Sequence, residues 1–331
     1  MERFALAAAV GLGFSLTAAP CSLFVPLRRV LERREQQQQP VQSEQPRPAP
    51  LRAPLWGGLC AAAGTVAAVG VGWLAACVGQ PELLGSEGRL MTRLLTALAG
   101  SLAFGAVGFA EDLARMRSPA ALGLRRDVRL LLEALAAAFV LLLLRAAGCL
   151  PRGLGVPGAG YVLLGSAAPF LWAVLMVALA ECARIAERDE GAVCGAAFVA
   201  MLALMMVEAG LGVSGLAVLP GALAGALVAL GLWAFPPARL GVGCCGSLLA
   251  AGAIGCIPLS LDMTSLTVPL ALPFWAAGGL LAAQLLCAKR TGKPLRCWVK
   301  KHKMSPETVF LCSFALSAVG YVLALALLRW C

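Results

Sequence analysis

Charge is scarce in this chain: 13% of its 331 residues are charged and 60% are hydrophobic, with a mean hydropathy of +0.85. So few polar groups cannot clothe a soluble domain, and that class is excluded. Alternating polarity is missing as well. Runs such as Leu130 to Leu144 read as apolar all round. That argues against a strand barrel and for helices, the other structure able to satisfy every backbone hydrogen bond in lipid. Histidine is reduced to His302, and no Cys-x-x-Cys pair occurs among the 13 cysteines, so the usual zinc signatures are absent. Cys21, Cys60, Cys77, Cys194, Cys256, Cys287 and Cys312 fall inside apolar stretches, where cysteine serves as a small hydrophobe. Cys244 and Cys245 are adjacent at a polar interruption; packing is the first reading there and thiol chemistry the second. No repeat suggests an inverted transporter duplication, and residues 1–331 read as one domain.

What is present is a series of ten apolar segments, near 4–26, 55–78, 94–110, 128–147, 160–180, 192–212, 214–234, 244–261, 266–287 and 307–328. Each approaches the length a helix needs to cross a bilayer. Alanine and glycine abound in them and let helix backbones approach closely. The prediction is an all-α polytopic membrane bundle of about ten transmembrane helices. Twenty of the 27 lysines and arginines lie in the loops after the first, third, fifth, seventh and ninth segments. Basic loops stay in the cytoplasm, so both termini are expected outside. The first segment is expected to be retained rather than cleaved, because a basic stretch follows it as a stop-transfer signal would. Residues 28–53, with four consecutive glutamines and several prolines, read as a flexible cytoplasmic linker. The net charge of +10 is explained by anionic membrane lipid and calls for no nucleic acid.

The polar loops also hold carboxylates. Gly108-Phe109-Ala110-Glu111-Asp112 ends the third segment and is followed by Arg115, Arg117, Gly123-Leu124, Arg125, Arg126 and Arg129. The fifth segment runs into Glu181, Arg184, Glu187, Arg188, Asp189, Glu190 and Gly191, and helical spacing puts Glu187 and Glu190 on the side of Arg184. Carboxylates can bind magnesium or accept a proton, while an arginine fork fits phosphate oxygens in two-point fashion. Solvated, self-paired loops are the plain alternative for either cluster taken alone. Two such clusters on one face point to a shared site.

The order of motifs resembles the phospho-N-acetylmuramoyl-pentapeptide transferases, polyprenyl-phosphate enzymes of cell-wall synthesis. Pro54-Leu55-Trp56-Gly57-Gly58 stands where that family has Pro-Thr-Met-Gly-Gly, and Gly108 to Asp112 where it has Gly-Phe-x-Asp-Asp. Arg115, Gly123-Leu124 and Arg129 match a basic residue, Gly-Leu and a lysine. Phe235-Pro236-Pro237-Ala238-Arg239 and Val242-Gly243-Cys244-Cys245-Gly246-Ser247-Leu248 are similar to its Pro-Ala-Lys and Met-Gly-Asp-Thr-Gly-Ser-Leu segments. Lys289-Arg290-Thr291-Gly292-Lys293 and His302 fall in its last cytoplasmic loop.

The resemblance implies transfer of a phospho-sugar from a UDP-sugar to polyprenyl phosphate with release of UMP, at the cytoplasmic face of a bacterial plasma membrane. It implies Glu111 and Asp112 as catalytic residues, with Arg115, Arg129, Arg184, Glu187, Glu190, Gly191, Gly246, Ser247 and His302 binding substrate. Magnesium is the implied cofactor, membrane lipid a partner, and a homodimer an allowed assembly. The chain departs from the family pattern at Glu111, at Glu187 and Glu190, and at Cys244, each of which stands where the family has Asp. Thiolate is a softer ligand than magnesium prefers, so a metal ligand is lost there. A non-catalytic paralog that binds lipid carrier or a cell-wall partner is the alternative expectation.

Overall fold

The computed structural model describes residues 2–38, 56–79, 88–117, 123–156, 160–187, 191–213, 215–235, 239–291 and 306–330. Glu190, His302 and most of the 28–53 linker lie outside them. The described helices are α1 (Glu2–Gln38), α2 (Gly57–Gly79), α3 (Gly88–Arg117), α4 (Arg126–Ala146), α5 (Ala168–Ala186), α6 (Ala192–Gly210), α7 (Val218–Ala234), α8 (Gly243–Ser260), the short α9 (Thr267–Leu270), α10 (Leu272–Thr291) and α11 (Pro306–Trp330). The protein is an all-α polytopic membrane bundle. Among the described residues, seven helices are long and apolar enough to cross a membrane, or eight if α9 and α10, bent by 65°, count as one broken span. The other two of the ten expected segments are α7, which is shorter, and α4, which carries Arg126, Asp127, Arg129, Glu133 and Arg145.

Three expectations need correction. Helix α1 does not stop near residue 26 but continues to Gln38, so residues 28–38 of the expected linker are helical. The stretch near 160–180 does not begin as helix. Gly153–Val156 (β1) and Gly160–Leu163 (β2) pair as an antiparallel hairpin, and α5 starts after them and runs on to Ala186. Helix α4 is not apolar all round either, because Glu133 projects from it and is fully buried.

Helix α8 is the axis of the bundle. Every residue from Gly243 to Ser260 is buried, and α2, α3, α5 and α6 all pack against it. Small residues make this possible. Along the antiparallel α3–α8 seam, a methyl added at Gly100 would meet Cys256 Sγ, one at Gly105 would press on Leu249, and one at Gly108 would overlap the Cys244 carbonyl. Without an exclusion of water to drive helices together in lipid, such close approach supplies the van der Waals contact that holds them. The seam fixes the end of α3 against the start of α8, and with it the position of the charged residues there.

Candidate functional site

Asp112, in the last turns of α3, reaches the first turn of α8. Its Oδ1 accepts the backbone N–H of Cys244 at 3.0 Å and its Oδ2 that of Cys245 at 2.9 Å. The first N–H groups of any helix lack partners within it, and the positive end of the helix dipole favours a carboxylate. Val242, at the N-cap of α8, makes no side-chain cap of its own, so Asp112 performs that task from a neighbouring helix.

One turn on, Arg115 draws three carboxylates together. Its Nη2 donates to Glu111 Oε1 at 2.8 Å, its Nη1 donates to Glu187 Oε2 at 3.4 Å, and Asp112 Oδ1 lies 3.8 Å from Nη1. The Cys244 thiol donates to the same Glu187 Oε2 at 3.2 Å. Gly123, with φ +69, packs over the stem of Arg115. A Cβ there would lie 3.1 Å from Arg115 Cγ, so the glycine lets the loop close down on the side chain.

A second layer stands behind the first. Arg129 Nε, at the start of α4, donates to Glu181 Oε1 at 2.9 Å, and its Nη1 lies 3.6 Å from Glu111 Oε1. Arg184 Nη2 donates to Glu181 Oε2 at 2.6 Å. Glu133 approaches Arg129 Nε only to 4.0 Å, and neither of its oxygens has a hydrogen-bond partner. Glu111 Oε2 and Arg184 Nε are likewise buried and unpartnered. Four helix ends, those of α3, α4, α5 and α8, therefore meet at one end of the bundle in a lattice of alternating charge.

The structure thus brings together Glu111, Asp112, Arg115, Arg129, Arg184, Glu187 and Cys244. Gly191 lies at the start of α6 with φ +77, the left-handed conformation glycine adopts without strain, and is packed against the Ala234 carbonyl. Gly246 abuts the backbone of Gly58, and the Ser247 hydroxyl turns back onto the carbonyls of Gly243 and Cys244. These three are packed into the bundle rather than into the charged lattice. Glu181, which the sequence sets in the second charged cluster without a role of its own, is a lattice member, and so is Glu133, which stands in neither cluster. The signal for Glu133 was there: it follows Arg129 by one helical turn, and a lone carboxylate in an apolar span marks a site.

Magnesium prefers hard oxygen ligands in octahedral array and keeps several waters. The described residues do not fit it. Both Asp112 oxygens are engaged by amides, Glu111 and Glu187 face a guanidinium, and Cys244 offers sulfur. Among the described residues, no group of three or more His, Cys, Asp and Glu side chains is placed to hold a metal ion.

Residues 94–262 match Glycosyl transferase family 4, a stretch that runs from α3 through α8 and contains the whole described lattice. The chain is also similar to a phospho-N-acetylmuramoyl-pentapeptide-transferase of Desulforudis audaxviator (strain MP104C), 34% identical over 170 residues, which is 48% of this chain and 50% of that protein. The similarity thus spans about half the length of that curated relative.

Proposed function

This chain belongs to glycosyl transferase family 4, a family of phospho-sugar transferases, and from that premise we propose that it moves a phospho-sugar from a UDP-sugar to polyprenyl phosphate. In this reading the site faces the cytoplasm of a bacterium. A phosphate oxygen of the carrier attacks the sugar-side phosphorus of the UDP-sugar. The bond from that phosphorus to the bridging oxygen breaks, and UMP leaves with the electron pair. The products are UMP and a membrane-bound, pyrophosphate-linked sugar.

The observation that carries the reading is the meeting of Glu111, Asp112 and Arg115 with Glu187 and Cys244 inside the family-matched stretch. Phosphoryl transfer asks mainly for positioning and for neutralisation of developing charge. Arg115, whose side chain is 21% exposed, is the cation placed to meet an incoming phosphate. Arg129 and Arg184 hold Glu111 and Glu181 behind it. Glu111 is buried with one oxygen unpartnered and bears on the substrate through its contact with Arg115, whereas Asp112 is committed to holding α8.

The test is release of UMP from a panel of UDP-sugars by folded, purified protein supplied with a polyprenyl phosphate. Turnover that falls at least about tenfold in Glu111→Gln is expected, the size of one lost charge-assisted contact. No release across the panel would overturn the proposal.

A second reading, a non-catalytic paralog that binds the lipid carrier, is favoured by the engagement of both Asp112 oxygens and by the thiol at position 244. Turnover that appears only in Cys244→Asp would establish it.

A further inference from the structure

Carboxylates gathered within a few ångströms repel one another unless a cation stands among them. In this protein that cation is a side chain. The Arg115 guanidinium lies 2.8 Å from Glu111, 3.4 Å from Glu187 and 3.8 Å from Asp112, joining the ends of α3 and α5. We infer that Arg115 stands in the place of a divalent cation, so that the protein takes the phosphate groups of its ligand directly on arginine, without magnesium. The inference rests on reading the site as one for phosphate-bearing substrates.

Three independent features agree with it. Cys244 is fully buried and its thiol donates to Glu187, the behaviour of a protonated thiol rather than of a metal-bound thiolate. Asp112 is buried and holds one amide of α8 on each oxygen, which ties its carboxylate to the start of that helix rather than turning it toward a metal. Gly123 closes over the Arg115 stem and holds the guanidinium where it is. A guanidinium carries five N–H donors in a fixed fork. Two of them go to Glu111 and Glu187, and the side chain as a whole is 21% exposed. A phosphate arriving there meets a rigid donor array that fits its oxygens in two-point fashion.

The experiment uses the full chain purified in detergent. Manganese, as a paramagnetic stand-in for magnesium, is titrated in and the free ion followed by electron paramagnetic resonance. Affinity for undecaprenyl phosphate is measured in parallel, in magnesium and in EDTA. No saturable manganese binding is expected, together with equal carrier affinity in the two buffers. Arg115→Gln should weaken carrier binding at least about tenfold, and Arg115→Lys, which keeps the charge but not the fork, should fall between. Saturable manganese binding to the unaltered protein overturns the inference. Loss of carrier affinity in EDTA, or no carrier binding in either buffer, does so too. These wild-type measurements decide the metal question even if Arg115→Gln fails to fold, and carrier affinity unchanged in folded Arg115→Lys and Arg115→Gln overturns the role of the arginine. UMP release is not the readout, so the two proposals fail separately. Carrier binding without metal or turnover removes only the transferase reading, and turnover that needs magnesium removes only this one.

Discussion

The carboxylate of Asp112 holds the backbone N–H of Cys244 across the α3–α8 seam, with the N–H of Cys245 on its other oxygen. A residue that family resemblance casts as catalytic is, in this chain, the cap of the central helix. Its replacement therefore acts on stability first. Asp112→Asn keeps one acceptor but turns an amide N–H toward another N–H, and should cost about 1–3 kcal/mol. Thermal unfolding in detergent reads this as a clear fall in midpoint. An unchanged midpoint would show that the contact does not hold α8.

Arg129 is 7% exposed and stands among Glu111, Glu133 and Glu181. Removing one member of a buried ion cluster leaves the others uncompensated, at a cost of about 3–5 kcal/mol. Arg129→Met should therefore destabilise strongly, whereas Glu133→Gln, which removes a carboxylate with no hydrogen-bond partner, should be neutral or stabilising. Unfolding midpoints that fall equally in both variants would contradict this account of the lattice.

Gly108→Ala places a methyl into the Cys244 carbonyl, against backbone that cannot turn aside as a side chain could. Overpacking of this kind costs about 1–3 kcal/mol where neighbours can yield, and more where they cannot. The variant should lose the sharp size-exclusion peak of the folded protein. Gly70→Ala on α2, where a Cβ meets nothing within 4 Å, should behave as wild type and serves as the control.

Orientation can be read from thiols. Cys149 lies in the turn after α4, at the end of the bundle away from the charged lattice, and is partly exposed. With the lattice facing the cytoplasm, a membrane-impermeant maleimide added to intact cells should label Cys149. Cys244, fully buried, should stay unlabelled even in opened membranes. Labelling of Cys149 only after the cells are opened would reverse the topology.

The helices were legible because length and apolarity are local properties: a stretch such as Ala192 to Gly210 reads as a span with or without its neighbours. Helix α4 was legible as a helix but not in its charge, because Glu133 is hidden in a run of leucines and alanines and acquires meaning only through Arg129 and Glu181. The hairpin at 153–163 was missed for a related reason. Tyr161, Val162 and Leu163 extend an apolar stretch that leads into α5, and only their pairing with β1 and the hydrogen bond from the Tyr161 hydroxyl to Asp262 distinguish them from helix. In the site, motif order placed Glu111, Asp112 and Cys244 near one another. That Asp112 faces amides and Arg115 faces carboxylates depends on the glycine seam, whose register no single segment contains.

Helix α8 has no side turned to the lipid, and this constrains how the chain can diverge. A surface-facing span drifts freely among leucine, valine and phenylalanine, but a residue enclosed by α2, α3, α5 and α6 changes size only in step with whatever touches it. Among descendants of this gene, positions 243 to 260 should mutate in matched couples, and the first couples to look for join 244 to 108 and to 187.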